Sequence, residues 1–113
     1  MKVTEFDLPG LKLIEPRRFG DARGWFAEVW QADRYREAGI TETFVQDNLA
    51  RSAKGVLRGL HAQLPPRAQG KLVRVTRGEV FDVAVDMRHD SPTFGRWVSM
   101  ILNEHNHRMA WIP

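Results

Sequence analysis

One histidine and two cations in the middle of the sequence are close enough to share a site. Arg58 and His61 flank Gly59-Leu60, and Lys71 opens a later apolar run. Histidine has an ordinary pKa of about 6.5, which suits a general base, and a fixed positive charge can stabilise an anion formed beside it. In an extended backbone Arg58 and His61 would point in opposite directions. A shared site therefore requires Gly59 to allow a bend.

Two other polar side chains, Arg23 and Glu28, are candidates for holding the polar edge of a ligand. They flank an aromatic stretch in which the ring of Phe26 could stack on a planar group. An aromatic strand with one exposed acid is the competing interpretation of the first group. A separate run of acid and amide side chains lies between the predicted strands and consists of Gln46, Asp47 and Asn48.

Two further pairs have spacings that could suggest chemistry. Asp82 and Asp86 are four residues apart in a strand-like run, which places them on one face but well separated. Turn and hydrogen-bonding roles are therefore favoured over acid–base work. His105 and His107 could lie on one side of a strand, but no third ligand has suitable spacing, so no metal site is predicted.

The elements that must position these residues are mainly strands. Short runs of β-branched and large apolar residues alternate with glycine, proline and polar turn residues, and only one segment has a helical pattern closed by a glycine. We predict strands at 11–14, 25–30, 56–60, 72–75, 80–86, 97–102 and 109–113, turns or loops at 17–24, 88–95 and 103–108, and a solvated helical connector at 32–39.

The aromatic residues and the last strand carry two more expectations. Trp25, Trp30, Trp97 and Trp111 are predicted to fill the core, with Phe26 as the exception. The strand-like residues at 109–113 are expected to form an unpaired edge. The fold class is therefore an all-β sandwich or barrel with one short helix.

The composition limits the classes of function. At 113 residues the chain is predicted to be a single domain, 1–113. The absence of cysteine excludes disulfides, thiolate metal sites and cysteine nucleophiles. The net charge of +3 comes from scattered lysines and arginines, so no nucleic-acid partner is expected. No run is apolar enough for a membrane span or signal peptide, which predicts a cytoplasmic location.

Several contiguous motifs match one known family. They are FVQDN at 44–48, KGVLRGLH at 54–61, AQGKLVR at 68–74, VFDVAVD at 80–86, SPTFG at 91–95 and WIP at 111–113. With these motifs the sequence resembles the dTDP-4-dehydrorhamnose 3,5-epimerase family. The resemblance implies a cupin-type jelly roll, incomplete at its C-terminal end, and a homodimer with exchanged N-terminal strands. It implies no metal and no organic cofactor.

The resemblance also implies roles for the candidate residues. His61 would be the base, and Lys71 and Arg58 would lie by the substrate ketone. The nucleotide would be held by Arg23, Glu28, Gln46, Asp47 and Asn48. The substrate would be dTDP-4-dehydro-6-deoxy-D-glucose, converted to dTDP-4-dehydro-L-rhamnose by epimerisation at carbons 3 and 5.

One departure from the family pattern limits this expectation. The family's general-acid tyrosine and the aspartate that orients its histidine would lie beyond residue 113, and Tyr35 does not match the tyrosine position. Little epimerisation by the 113 residues alone is therefore expected. The alternatives are a nucleotide-sugar-binding fragment without catalysis, an epimerase acting only at carbon 3 or carbon 5, and, least favoured, a metal-dependent cupin oxygenase.

Overall fold

The computed structural model describes all 113 residues, as eight strands and one short helix. This confirms the predicted all-β class. The helix has six residues, too few to cross a bilayer. The strands are β1 (Lys2–Glu5), β2 (Lys12–Glu15), β3 (Arg18–Asp21), β4 (Gly24–Ala27), β5 (Lys71–Arg74), β6 (Glu79–Val85), β7 (Trp97–Asn103) and β8 (Met109–Ile112), and the helix is α1 (Ala32–Glu37).

The main sheet is antiparallel and has the strand order β1-β2-β8-β5. The last strand of the chain, β8, lies between β2 and β5, with Trp111 opposite Lys12 on one side and Leu72 on the other. The expectation of an unpaired edge at the end of the chain is therefore wrong. Two long-range pairings satisfy the backbone hydrogen bonds of β8, which local sequence could not indicate.

A second sheet, formed by β6 and β7, covers one face of the main sheet. The core between the two sheets includes Ala84, Met100, Leu102 and Ala110, all of them buried. Because side chains alternate along a strand, Asp82 and Ala84 point into this core, while Phe81 points outward and is exposed. The face of β6 that carries acidic and small side chains is thus the face that points into the core.

The other face of the main sheet is covered by α1. The side chain of Gln31 accepts a hydrogen bond from the backbone N–H of Arg34 and caps the helix, which ends before Gly39 with φ +78°. Tyr35 is buried against Ile14, Met109 and Trp111. The helix is therefore a packed element and not the predicted solvated connector.

Three other local predictions differ from the structure. Residues 18–21 and 24–27 form a hairpin, β3–β4, where a loop was expected over 17–24. Strand β1 was not predicted, because its sequence KVTE has only one strongly apolar residue. Trp111 is buried, as predicted, but the other three tryptophans are half exposed or more, so the prediction that they fill the core is wrong for those three.

Candidate functional site

The residues that carry the predicted chemistry lie on a long irregular segment, residues 41–70, between α1 and β5. No strand forms at 56–60, contrary to the prediction. Val56, Leu57 and Leu60 have strand propensity, but no neighbouring strand is available to accept their backbone hydrogen bonds. The segment is held locally by turns, for example through the N–H of Val56 to the carbonyl of Ala53.

The bend required between Arg58 and His61 is present. Gly59 has φ +132°, a backbone conformation that residues other than glycine rarely adopt. The His61 ring folds back over this residue, so that its Nδ1 lies 3.7 Å from the place where a Cβ of Gly59 would be. Arg58 Nε donates a hydrogen bond to Ser52 Oγ at 2.9 Å. The imidazole remains exposed and open to a ligand.

Lys71 is the first residue of β5 and is half-buried. It lies opposite Ile112, which packs against the core between the two sheets. Lys71 and the carboxyl of Asp82 therefore lie on the inner faces of opposing sheets. Burial raises the pKa of Asp82, and no hydrogen bond holds its carboxyl, so the turn role predicted for it is wrong.

The acid and amide run is exposed. Gln46 Nε2 donates to Asn48 Oδ1 at 3.1 Å, so these two side chains share a local arrangement with Asp47 between them. Because all three are in solvent, their polar groups are available to a ligand.

The remaining candidates lie on or beside the β3–β4 hairpin. Arg23 pairs with Asp21, with Nη2 and Oδ2 2.6 Å apart, and this contact lowers the pKa of Asp21. Glu28 forms an ion pair with Arg34, with Oε1 and Nη1 2.8 Å apart. Phe26 is 68% exposed, as expected for a stacking surface. No hydrogen bond or ion pair joins these residues to His61 or Lys71 within one chain.

From the sequence, Trp111 was predicted only as a core residue, and its position beside the site was not predicted. Its ring lies edge-to-face against Phe44, with centroids 5.8 Å apart, and touches Gly70 at the other end of the irregular segment. Sequence distance hid this contact, since forty residues lie between Gly70 and Trp111. The WIP motif was the only available signal.

The two facing antiparallel sheets define a cupin-type jelly roll, as in the solved structures that the chain superimposes on. One is a dTDP-4-dehydrorhamnose 3,5-epimerase from Bacillus anthracis with TDP and pyrophosphate bound (TM-score 0.96, 48% identity, 99% of this chain and 65% of that one). Another is a Legionella pneumophila dTDP-6-deoxy-D-glucose-3,5-epimerase in complex with dTDP-4-keto-L-rhamnose (TM-score 0.93, 57% identity, 99% and 60%).

Sequence comparison agrees with the structural match. Residues 5–113 match the family described as dTDP-4-dehydrorhamnose 3,5-epimerase, and the chain belongs to that family. The Pseudomonas aeruginosa enzyme of this name is 57% identical over 114 residues, which cover 100% of this chain and 62% of that protein. The chain thus spans somewhat less than two thirds of the relatives it matches.

Proposed function

We propose that this chain binds dTDP-4-dehydro-6-deoxy-D-glucose and removes the protons at carbons 3 and 5 in the epimerisation that leads to dTDP-4-dehydro-L-rhamnose. The observation that carries the proposal is the 57% identity to the Legionella structure, which holds a dTDP-linked 4-keto sugar. The accessible imidazole of His61 and the half-buried Lys71 are consistent with it.

The chemistry follows from the substrate class. Both carbons are next to the ketone, so a base can take either proton while the C–H electrons form an enolate with negative charge on the ketone oxygen. In the proposal His61 takes the proton, and Lys71 with Arg58 stabilises the oxygen; one well-placed donor is worth about 3–4 kcal/mol. The returning proton must come from another group on the opposite face, because His61 lies on the face that it deprotonates.

Binding of the nucleotide is assigned to the exposed polar groups. The Arg23 guanidinium would face a phosphate, for which arginine provides a planar set of donors. The amides of Gln46 and Asn48, with the acids Asp47 and Glu28, would hold the base and sugar edges, and Phe26 would stack on a ring. The proposal places no metal or organic cofactor in the reaction.

The first experiment follows exchange of the substrate's protons in deuterium oxide by NMR. The chain should introduce deuterium at carbons 3 and 5 even without net epimerisation, because exchange needs only the base and inversion also needs a proton donor on the opposite face. His61→Ala should abolish the exchange while dTDP binding changes by less than about 1 kcal/mol, because a base contributes little to ground-state binding. His89→Ala is the matched control: His89 is also exposed, but it stacks on Phe94 away from the site.

Other outcomes would select the alternatives. Binding of dTDP with no deuterium uptake at either carbon would show a nucleotide-sugar-binding protein. Uptake at one carbon alone would show a single-site epimerase. If His61→Ala unfolds the chain, His61 is a structural residue and its assignment as base is withdrawn.

We further propose that the protein acts as a homodimer in which the β3–β4 hairpin reaches the partner's site. The hairpin forms a two-stranded sheet of its own and presents Phe19, Trp25 and Phe26 to solvent. It carries Arg23 on a part of the chain that makes no polar contact with the segment holding His61. An exchanged hairpin would bring the two sets of residues together.

A further inference from the structure

The ring of Trp111 is buried at the base of the segment that carries the site. It is 3% exposed and lies on the face of the main sheet that α1 covers. Its register partner on β5 is Leu72, so its side chain and that of Lys71 leave the sheet on opposite faces. Any effect of Trp111 on Lys71 must therefore pass through the backbone.

Gly70 provides that connection. A Cβ placed on Gly70 would lie 2.5 Å from Cη2 of Trp111, closer than side chains approach one another, and 3.2 Å from Cζ2, which is a tight contact. Gly70 does not have the positive φ that seven of the other glycines have, so its backbone conformation is open to any residue. Glycine is required here by close packing alone, and the indole six-membered ring sets how far the backbone before Lys71 can move.

The same ring also fixes the other end of the segment. Phe44 meets it edge-to-face, at 5.8 Å between centroids and an interplanar angle of 84°. Such aromatic pairs stabilise a contact beyond simple burial. Between Phe44 and Gly70 the chain has no strand or helix of its own, so these two contacts with one buried ring define where the segment leaves and rejoins the fold.

We propose that Trp111 is a positioning residue for the reaction: by packing on Gly70 and Phe44 it holds both ends of the site-bearing segment and fixes the position of Lys71. The part that concerns catalysis rests on the proposed function, in which Lys71 stabilises the enolate. A displacement of about 1 Å at such a group is enough to lower a rate strongly.

The test is a double-mutant cycle between the two residues in contact. Gly70→Ala introduces the clash, and Trp111→Phe removes the outer atoms of the indole that the new methyl group would meet. The direct readout is the rate at which Lys71 is acetylated by acetic anhydride, measured by peptide mass spectrometry relative to Lys2, which is on the exposed edge strand. Circular dichroism of each variant reports folding.

Gly70→Ala should raise the relative acetylation of Lys71 several-fold, because the segment end is pushed away from the sheet. The double variant Gly70→Ala/Trp111→Phe should return to the rate of Trp111→Phe alone. Gly20→Ala is the matched control, since a Cβ there would meet its nearest neighbour at an ordinary 3.6 Å and should leave Lys71 unchanged. If Gly70→Ala alone does not fold, recovery of folding in the double variant supports the contact.

Two results would overturn the proposal: unchanged Lys71 acetylation in folded Gly70→Ala, or no rescue by Trp111→Phe. The catalytic part is tested separately by deuterium exchange, which should fall about tenfold in Gly70→Ala and recover in the double variant. Lys71→Met separates the two ideas. If it leaves exchange unchanged, the role of Lys71 in the proposed function fails, while the acetylation rates still decide whether Trp111 positions it.

Discussion

At the scale of single residues, one buried carboxylate organises the connection between β6 and β7. The side chain of Asp86 is 1% exposed and accepts hydrogen bonds from the side chains of Arg88, Ser91 and Thr93, at 2.5 to 3.0 Å. The backbone N–H of Arg88 also donates to it. These donors, with Arg88 as the largest contribution, hold the pKa of Asp86 far below its ordinary value. The hydrogen-bonding role predicted for this residue is confirmed.

Removal of that carboxylate should destabilise the fold. Asp86→Ala leaves several buried or half-buried donors without an acceptor, and we expect a loss of about 3 kcal/mol in the free energy of unfolding, measured in urea. Asp90→Ala, at an exposed position in the same turn without an ion pair, should cost little.

The pH dependence of the same variants gives an independent check. The pKa of Asp86 in the folded protein lies below its ordinary value of 3.8. The native protein therefore loses this stabilisation as the pH falls below 3.8. Asp86→Ala should flatten the acid limb of the stability curve. An equally steep acid limb in the variant would show that other carboxylates cause the acid sensitivity.

At the scale of elements, the β3–β4 hairpin is attached to the fold by a contact with the loop between β7 and β8. Arg18 Nη1 donates to His107 Nε2 at 2.9 Å, which requires a neutral imidazole, and the Trp25 ring lies 4.5 Å from that of His107 between centroids. Burial, helped by the charges of Arg18 and His105, lowers the pKa of His107 below 6.5. Protonation of His107 therefore opposes the attachment.

The attachment should weaken in mild acid. A group with a lowered folded pKa stabilises the native contact above its ordinary pKa and loses that effect as the pH falls toward the folded value. We expect the indole N–H resonance of Trp25 to shift as the pH falls below 6.5, where the imidazole of the folded protein takes up its proton. His107→Asn should abolish the shift, because asparagine tolerates the φ of 53° at this position and does not titrate. A shift that persists in this variant would assign the titration to another group.

The sequence predicted a strand correctly where the apolar pattern belongs to a segment that has a neighbouring strand to pair with. Strands β5, β6 and β7 follow their apolar runs closely. The run at 56–60 has the same composition but no strand beside it, so propensity alone did not form a strand. The opposite error occurred at 18–21, where RFGD reads as a turn but pairs with the aromatic residues of β4. Local pattern contains no information about either pairing.

The candidate site, like the strands, was predictable only where local residue types determine the structure. The motif around His61 and the glycine bend needed beside it could be identified from residue types, and the bend is present. The inward direction of Asp82 and the contact of Trp111 with both segment ends depend on how β6 and β8 pack in three dimensions. Packing of this kind joins residues that are distant in sequence, and a single chain does not reveal it.

At the scale of the whole molecule, much apolar surface lies on the site-bearing segment and on the hairpin. Leu49, Leu57 and Leu60 on the segment are mostly exposed, as are Trp25 and Phe26 on the hairpin. Soluble monomers rarely expose contiguous apolar patches of large size, and such patches mark interaction sites. This distribution is what the proposed dimer requires, in which the hairpin of one copy lies against the segment of the other.

A mixing experiment tests whether two copies share their sites. Arg23→Ala and His61→Ala should each lack deuterium exchange as pure proteins at low substrate concentration. If the hairpin serves the partner, a mixed dimer contains one site with both changes and one with neither. Equal mixing after reversible unfolding should then restore about a quarter of the native exchange, since half of the dimers are mixed and each has one intact site. Two results would contradict the exchanged dimer: the native chain sediments as a monomer, or the mixture is no more active than its components. Arg23 and His61 of one chain would then act in the same site.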